Sequence, residues 1–167
     1  MIATSASRRR FTGMKTLLEK KESPLMTVNI RNWQEEISNM ADDPNVSIRY
    51  VLVSVHEGKG LYSSIIPPGN SNTGHYHPEK GEYYHIVKGS GVIATQQADQ
   101  LESGAEPVRQ RVVEGMSFAL PPGLVHRLFN DGHEPLTFFF ECPLEHMAQS
   151  NPVRTAVKDF GDTLRRD

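Results

Sequence analysis

The chain has 167 residues, of which 37% are hydrophobic and 23% charged, a composition typical of one globular domain with extensions. Its formal net charge of -2 gives no electrostatic basis for binding nucleic acid or an anionic membrane, so we expect neither as a partner. The 13 glycines and 11 prolines separate short apolar runs, which favours an all-β fold with many turns.

The chain contains one cysteine, Cys142, so no disulfide can form within it. This suits a reducing compartment, and we predict a cytoplasmic protein. We interpret Cys142 as a small buried residue rather than a nucleophile. No apolar stretch approaches the roughly 18–20 residues of a membrane-spanning helix.

Residues 1–28 lack a sustained hydrophobic period. They have no acidic residue before Glu19, a weak match to a transit peptide, but we interpret them as a flexible N-terminal extension. Over residues 29–45 we predict a short amphipathic helix and a linker. Asn32 can cap this helix, and Glu35 follows it as in a capping box. The apolar residues expected to share one face of the helix are Ile30, Trp33, Ile37 and Met40.

From Ile48 the hydrophobic period becomes two, as in strands with two different faces. Short strand-like runs follow one another at steady spacing with no helical pattern among them. We therefore predict a β-sandwich or small barrel over residues 46–144. The polar C-terminal tail, residues 145–167, could hold a loose helix.

The stretch GNSNTGHYHPEKGEYYHIVKG contains the first candidate site residues. His75 and His77 are two residues apart, so on a strand both imidazoles would point to one face. We expect a turn at Pro78–Gly81 to close a hairpin, which lets Glu82 face the same pair. Two imidazoles and a carboxylate suit Fe(II), Mn(II), Ni(II) or Zn(II). The alternative is a polar hairpin whose histidines contact only water.

A second stretch, GMSFALPPGLVHRLFN, places His126 three residues after a glycine. Together the two stretches resemble the two characteristic motifs of the cupin superfamily. The fixed positions that match are Gly69, His75, His77, Glu82 and Gly89 in the first motif and Gly115, Pro121, Gly123, His126 and Asn130 in the second. The resemblance implies a cupin-type double-stranded β-helix, or jelly-roll barrel, here flanked by the short N-terminal helix and the C-terminal tail. It also implies a divalent transition metal held inside the barrel by His75, His77, Glu82 and His126.

Four protein ligands in an octahedral shell would leave two positions for water, dioxygen or a chelating substrate. Strand parity places Tyr84 on the same face as Glu82. Tyr84 is therefore a candidate for orienting a substrate or moving a proton, or else it is a core tyrosine. The same parity directs Tyr83 and His85 to the outer face.

These features indicate a metal-dependent cupin enzyme that acts on a small polar molecule, by Fe(II) dioxygenase-type or by isomerase- or lyase-type chemistry. The alternative is a binding module that holds metal and ligand as a sensor or carrier without turnover. The strand that begins at Ile48 has apolar residues on both faces, which predicts a homodimer unless the N-terminal helix covers the outer face.

Overall fold

The computed structural model describes residues 30–44, 46–148, 154–157 and 159–161. The extension predicted for residues 1–28 lies outside them. The elements are helix α1 (Trp33–Glu36) and strands β1 (Ala41–Asp43), β2 (Ile48–His56), β3 (Lys59–Ile66), β4 (His75–Tyr76), β5 (Glu82–Lys88), β6 (Ser90–Gln97), β7 (Val108–Val113), β8 (Ser117–Leu120), β9 (Leu124–Phe129), β10 (Leu136–Pro143) and β11 (Thr155–Ala156). Short 3-10 turns occupy Ile37–Asn39, Ala98–Ser103 and Leu144–Met147. In this part of the chain no helix is long and apolar enough to cross a membrane.

The strands form two antiparallel sheets that face each other. The six-stranded sheet has the order β1-β2-β3-β10-β5-β8, and the five-stranded sheet has the order β11-β4-β9-β6-β7. The main core lies between them and consists of Val46, Ile48, Tyr62, Ile66, Tyr84, Ile86, Ile93, Val112, Leu120, Leu128, Leu136, Phe138, Phe140 and Cys142. The predicted all-β jelly-roll fold is confirmed.

Side-chain alternation along β5 and β10 decides which side chains point into the barrel interior. On β5 the inward residues are Glu82, Tyr84 and Ile86, and the exposed ones are Tyr83 and His85, as strand parity predicted. On β10, Phe138 and Phe140 fill the interior. Phe139 points outward, where the edge of the Trp33 ring packs against it with 5.1 Å between centroids.

The predicted hairpin at Pro78–Gly81 is wrong. Strand β4 belongs to the five-stranded sheet and β5 to the six-stranded sheet, so this connection crosses from one sheet to the other. Residue parity shows which side chains share a face, but it does not show whether a turn joins strands of one sheet. His75 and Glu82 therefore approach each other across the barrel interior.

The chain crosses between the sheets again at Gly89, which has φ +86. A Cβ atom there would lie 2.9 Å from the Pro135 carbonyl oxygen, so both the backbone conformation and the space require glycine.

The N-terminal helix is shorter than predicted, because α1 ends at Glu36 and continues only as a 3-10 turn. Asn32 caps it, since its Oδ1 accepts a hydrogen bond from the Gln34 N–H at 3.1 Å. The placement of Ile30 on the packed face is wrong, because this side chain precedes the cap and is 88% exposed. Part of the predicted linker forms β1, which pairs with β2.

The described part of the C-terminal tail packs onto the barrel. After β10 the chain makes the 3-10 turn Leu144–Met147 and later adds β11 to the edge of the five-stranded sheet, beside β4. Phe160 is buried, and its carbonyl oxygen accepts a hydrogen bond from Arg127 Nη1 at 2.7 Å. The tail therefore lies directly beside the strand that carries His75.

Candidate metal centre

Four residues predicted from the sequence come together inside the barrel. His75 lies on β4 and pairs in register with His126 on β9, while Glu82 opens β5 in the opposite sheet. His77 follows β4 directly. Each of the four is no more than 4% exposed, and one potential ligand atom from each lies within 4.8 Å of the others.

The Glu82 carboxylate faces the imidazoles with both oxygens. Oε1 lies 3.0 Å from His77 Nε2, and Oε2 lies 3.8 Å from His126 Nε2. The rings of His75 and His126 are 4.3 Å apart between centroids. The donor atoms thus surround one small volume.

The backbone fixes the tautomer of two of these imidazoles. His75 Nδ1 lies 2.9 Å from the Thr73 carbonyl oxygen, and His126 Nδ1 lies 3.0 Å from the Leu124 carbonyl oxygen. Because a carbonyl oxygen can only accept, Nδ1 carries the proton in both rings and Nε2 keeps its lone pair. The Nε2 atom of His126 is buried and has no hydrogen-bond partner among the described residues. A metal cation is the kind of partner that such a lone pair accepts.

Burial also sets the protonation of the cluster. It lowers the pKa of His126 below 6.5 and, together with the neighbouring His126, it lowers the pKa of His75 well below that value. Burial alone would raise the pKa of Glu82, but the adjacent His146 and His77 imidazoles outweigh it and hold this pKa well below 4.5. The neutral imidazoles of His75 and His126 beside one ionised carboxylate are donors that fit a divalent transition metal.

His146 is a site residue that the sequence did not reveal. It lies on the 3-10 turn after β10, is fully buried, and places Nδ1 3.3 Å from Glu82 Oε1. Its ring stacks on that of His77 with 3.8 Å between centroids and 4° between planes. Cys142 is buried as predicted and lies close enough to form a second group of potential ligand atoms with Glu82 and His146.

Tyr84 occupies the predicted inward position but contacts other side chains of the core. Its ring stacks on Phe138 with 5.1 Å between centroids and meets the ring of His126 edge-on at 6.0 Å. Burial, and then the negative charge of Glu82, raise the pKa of Tyr84 well above 10, so its hydroxyl keeps its proton. A role for Tyr84 in substrate chemistry stays a prediction.

Two cavities lie next to the cluster. The first, here the apolar cavity, has a volume of about 480 Å³ and is lined by Ile93, Thr95, Gln110, Arg111, Val112, Met116, Ser117, Phe118, Ala119, Leu120 and Leu124. Within it, Thr95 pairs in register with His126 and Leu120 with Glu82, so two lining residues are direct strand neighbours of the cluster. The second, here the rim cavity, has a volume of about 460 Å³ and reaches Glu82 and Cys142 between the charged side chains of Lys59 and Lys80. Tyr84 lines neither of them.

Comparison with known families agrees with this architecture. The model of the cupin domain family (Cupin_2) matches residues 62–141, which include the four clustered residues. Residues 62–141 of this chain form a cupin domain. Its cupin barrel therefore holds the His and Glu residues in the positions that the two sequence motifs implied.

Solved structures with the same fold are distant in sequence. The capsular polysaccharide assembling protein CapF from Staphylococcus aureus is 19% identical, with a TM-score of 0.57 over 71% of this chain and 34% of CapF. An uncharacterized conserved protein with a double-stranded β-helix domain from Klebsiella pneumoniae is 17% identical, with a TM-score of 0.56 over 79% of this chain and 99% of that protein. A Cupin 2 conserved barrel domain protein from Salinispora arenicola is 20% identical, with a TM-score of 0.53 over 70% of this chain and 88% of that one.

At these identities the likeness to solved structures shows the fold alone. The chain spans about a third of the length of CapF, 34%. Among curated proteins, none matches this chain significantly.

Proposed function

We propose that this cupin is a metal-dependent enzyme that acts on a small molecule at a divalent transition-metal site. The residues that would hold the metal are His75, His77, Glu82 and His126. The observation that carries the proposal is the buried, unpaired Nε2 of His126, which faces the ionised Glu82 carboxylate within a cluster of four donor groups. A buried polar atom without a partner costs about 1–3 kcal/mol, and a bound cation would remove that cost.

The residues around these groups favour the binding of a metal cation. The Thr73 and Leu124 carbonyl oxygens hold the Nδ1 protons of His75 and His126, which leaves both Nε2 atoms ready to bind a cation. The barrel walls keep bulk water from the carboxylate, which strengthens its attraction for positive charge. A divalent ion bound there supplies Lewis-acid or redox chemistry.

The apolar cavity indicates the class of substrate. Most of its lining residues are apolar, and the neutral polar ones are Thr95, Gln110 and Ser117. Such a cavity fits a small molecule with an apolar or aromatic body and one oxygen-bearing end directed at the cluster. The rim cavity is less suited to this, because its Lys59 already pairs with Glu141 at 3.0 Å and its Lys80 with Glu145 at 2.6 Å.

The cavity lining also bears on the type of reaction. Arg111 is the one titratable side chain among its lining residues, and a guanidinium does not give up its proton in proteins. An isomerase or lyase needs a side chain that moves a proton, so this lining favours dioxygenase-type chemistry. The same lining suits a second candidate, a cupin that binds metal and ligand as a carrier without turnover.

The first experiment measures metal content after anaerobic purification, in the wild type and in His77→Ala and His126→Ala. We expect one equivalent of divalent transition metal per chain in the wild type and loss of stoichiometric binding in both variants. His56→Ala is the matched control, because its imidazole is 89% exposed, whereas the four clustered residues are buried. Full metal occupancy in both ligand variants would refute the site.

A second measurement separates the enzyme from the carrier. Oxygen uptake is followed with the metal-loaded protein and a panel of small aromatic and enolic compounds, and binding of the same compounds is followed by calorimetry. Catalytic oxygen uptake that is lost in His126→Ala supports the dioxygenase. Tight binding of a compound that is never consumed, with or without oxygen, would favour the carrier.

A further inference from the structure

We infer that His146 is a positioning residue for Glu82, which fixes the orientation of the carboxylate at the metal centre. This inference rests on the proposed metal-binding function. His146 Nδ1 lies 3.3 Å from Glu82 Oε1, the same oxygen that lies 3.0 Å from His77 Nε2. A carboxylate can only accept, so His146 donates its Nδ1–H and leaves Oε2 directed toward His126.

The hydrogen bond to Glu82 sets the tautomer of His146, with a proton on Nδ1. Its other nitrogen, Nε2, is buried and has no hydrogen-bond partner among the residues that the structure describes. The ring cannot turn freely, because it lies flat on His77 with 3.8 Å between centroids. The donor is therefore held in place by stacking and directed at one carboxylate oxygen.

The segment that carries His146 is attached on both sides of the site. The His146 carbonyl oxygen accepts a hydrogen bond from Arg154 Nη1 at 3.2 Å, and Nη2 of the same arginine forms a buried ion pair with Asp43 on β1. On the other side, Glu145 pairs at 2.6 Å with Lys80, in the connection that joins His77 to Glu82. These contacts attach the segment that carries His146 to the barrel. The support that His146 gives to Glu82 therefore comes from outside the two cupin motifs.

Packing alone does not account for an imidazole at this position. An apolar ring of similar size would keep the stacking on His77 and would leave no buried nitrogen without a partner. Packing alone therefore favours phenylalanine over histidine here. What phenylalanine lacks is the Nδ1–H that Glu82 accepts, and the residues that orient metal ligands typically contribute about 10–100-fold to metal affinity.

The test compares the affinity for Co(II) in wild type, His146→Phe, His146→Asn and His146→Gln, by anaerobic titration against a competing chelator. We expect about 10–100-fold weaker binding in His146→Phe, together with a changed visible spectrum of the bound Co(II). Asn places its amide N–H where Nδ1 was, so it should restore most of the affinity, whereas Gln places it near the former Nε2 and should not. Because His146→Phe loses the hydrogen bond to the buried Glu82 carboxylate, thermal unfolding of the metal-free proteins should show it to be less stable than wild type.

The possible results are distinct. If the wild type itself does not bind Co(II), the proposed metal site fails. If the wild type binds and His146→Phe binds equally well with the same spectrum, the positioning role is overturned. If His146→Phe does not fold, the Asn and Gln variants decide, and equal affinities in these two would overturn it. Two Co(II) ions per chain in the wild type and one in His146→Phe would make His146 a ligand of a second metal with Cys142, and that result also overturns the positioning role.

Discussion

Acidification of the metal-free protein should destabilise it through His75 and His126. An imidazole in the unfolded chain has a pKa near 6.5 and binds a proton below that pH, whereas burial lowers the pKa of both rings in the folded protein and keeps them neutral. The unfolded state therefore binds more protons as the pH falls, and stability decreases from about pH 6.5 down to the lowered pKa of each ring. Between pH 7 and pH 5.5 a ring that stays neutral when folded lowers the free energy of unfolding by at most about 1.25 kcal/mol, so the two together lower it by up to about 2.5 kcal/mol.

Glu82 does not contribute to this effect, because its pKa lies well below 4.5 in the folded state. The stability that its ionised form provides is present at neutral pH and is lost only at pH values below about 4.5, where the unfolded chain binds the proton first. The range from pH 7 to pH 5.5 thus isolates the imidazoles.

The assay is urea unfolding of chelator-treated protein at several pH values in this range. His126→Asn keeps a donor for the Leu124 carbonyl oxygen and removes one titrating ring, so it should lose up to about half of the two-ring contribution to the pH dependence. His56→Asn is the matched control, because its ring is 89% exposed, whereas His75 and His126 are buried. A stability that is flat from pH 7 to pH 5.5, or one with the same slope in wild type and His126→Asn, would show that these imidazoles are not held neutral by burial.

Three further predictions concern the surroundings of the site. Tyr84→Phe should keep its metal content and any turnover and lose about 1 kcal/mol of stability, because the ring lies in the core and lines neither cavity; a turnover rate slowed by a factor of about 100 or more would instead assign the hydroxyl to proton transfer. Met116→Trp, at the partly exposed edge of the apolar cavity, should weaken the binding of the small aromatic and enolic test compounds and leave the metal content unchanged. Val108→Trp, at an exposed position outside the lining, should change neither the binding nor the metal content. Light scattering should show the homodimer predicted from the sequence. Tyr83→Glu, on the exposed outer face of the six-stranded sheet, should convert it to an 18.7 kDa monomer. If the wild type is already a monomer, the dimer prediction is wrong and the N-terminal helix is what covers this face.

The positions of the four clustered residues could be predicted because they depend on local rules. His75 and His77 are two residues apart on extended chain, and parity on β5 sets the direction of Glu82 and its neighbours. His126 was found through the second motif, since nothing in its own strand distinguishes it from a histidine on the surface. The fold class followed from short strands and frequent turns, which are also local features.

The features that could not be predicted depend on contacts between distant parts of the chain. His146 lies just beyond the proline that ends β10, where no period indicates which way a side chain points. Its place is set by Arg154, which pairs with Asp43 at a separation of 111 residues. The hairpin wrongly predicted at Pro78–Gly81 has the same origin. Only the pairing of β4 with β9 and of β5 with β8 shows that β4 and β5 lie in different sheets.

That crossing between sheets explains how the cluster is buried between the sheets and still has strand neighbours that line the apolar cavity. A hairpin would have placed His75 and Glu82 on one sheet, whereas here they approach each other from opposite sheets, where the interior excludes water. The two sheets do not pair with each other along β7 and β8, which are edge strands of the five-stranded and the six-stranded sheet. Residues of β7 and β8 line the apolar cavity, and Thr95 and Leu120 connect its walls to the strands of His126 and Glu82. The topology that brings the four clustered residues together therefore also places the apolar cavity beside these two edges, where the small molecule of the proposed function would bind.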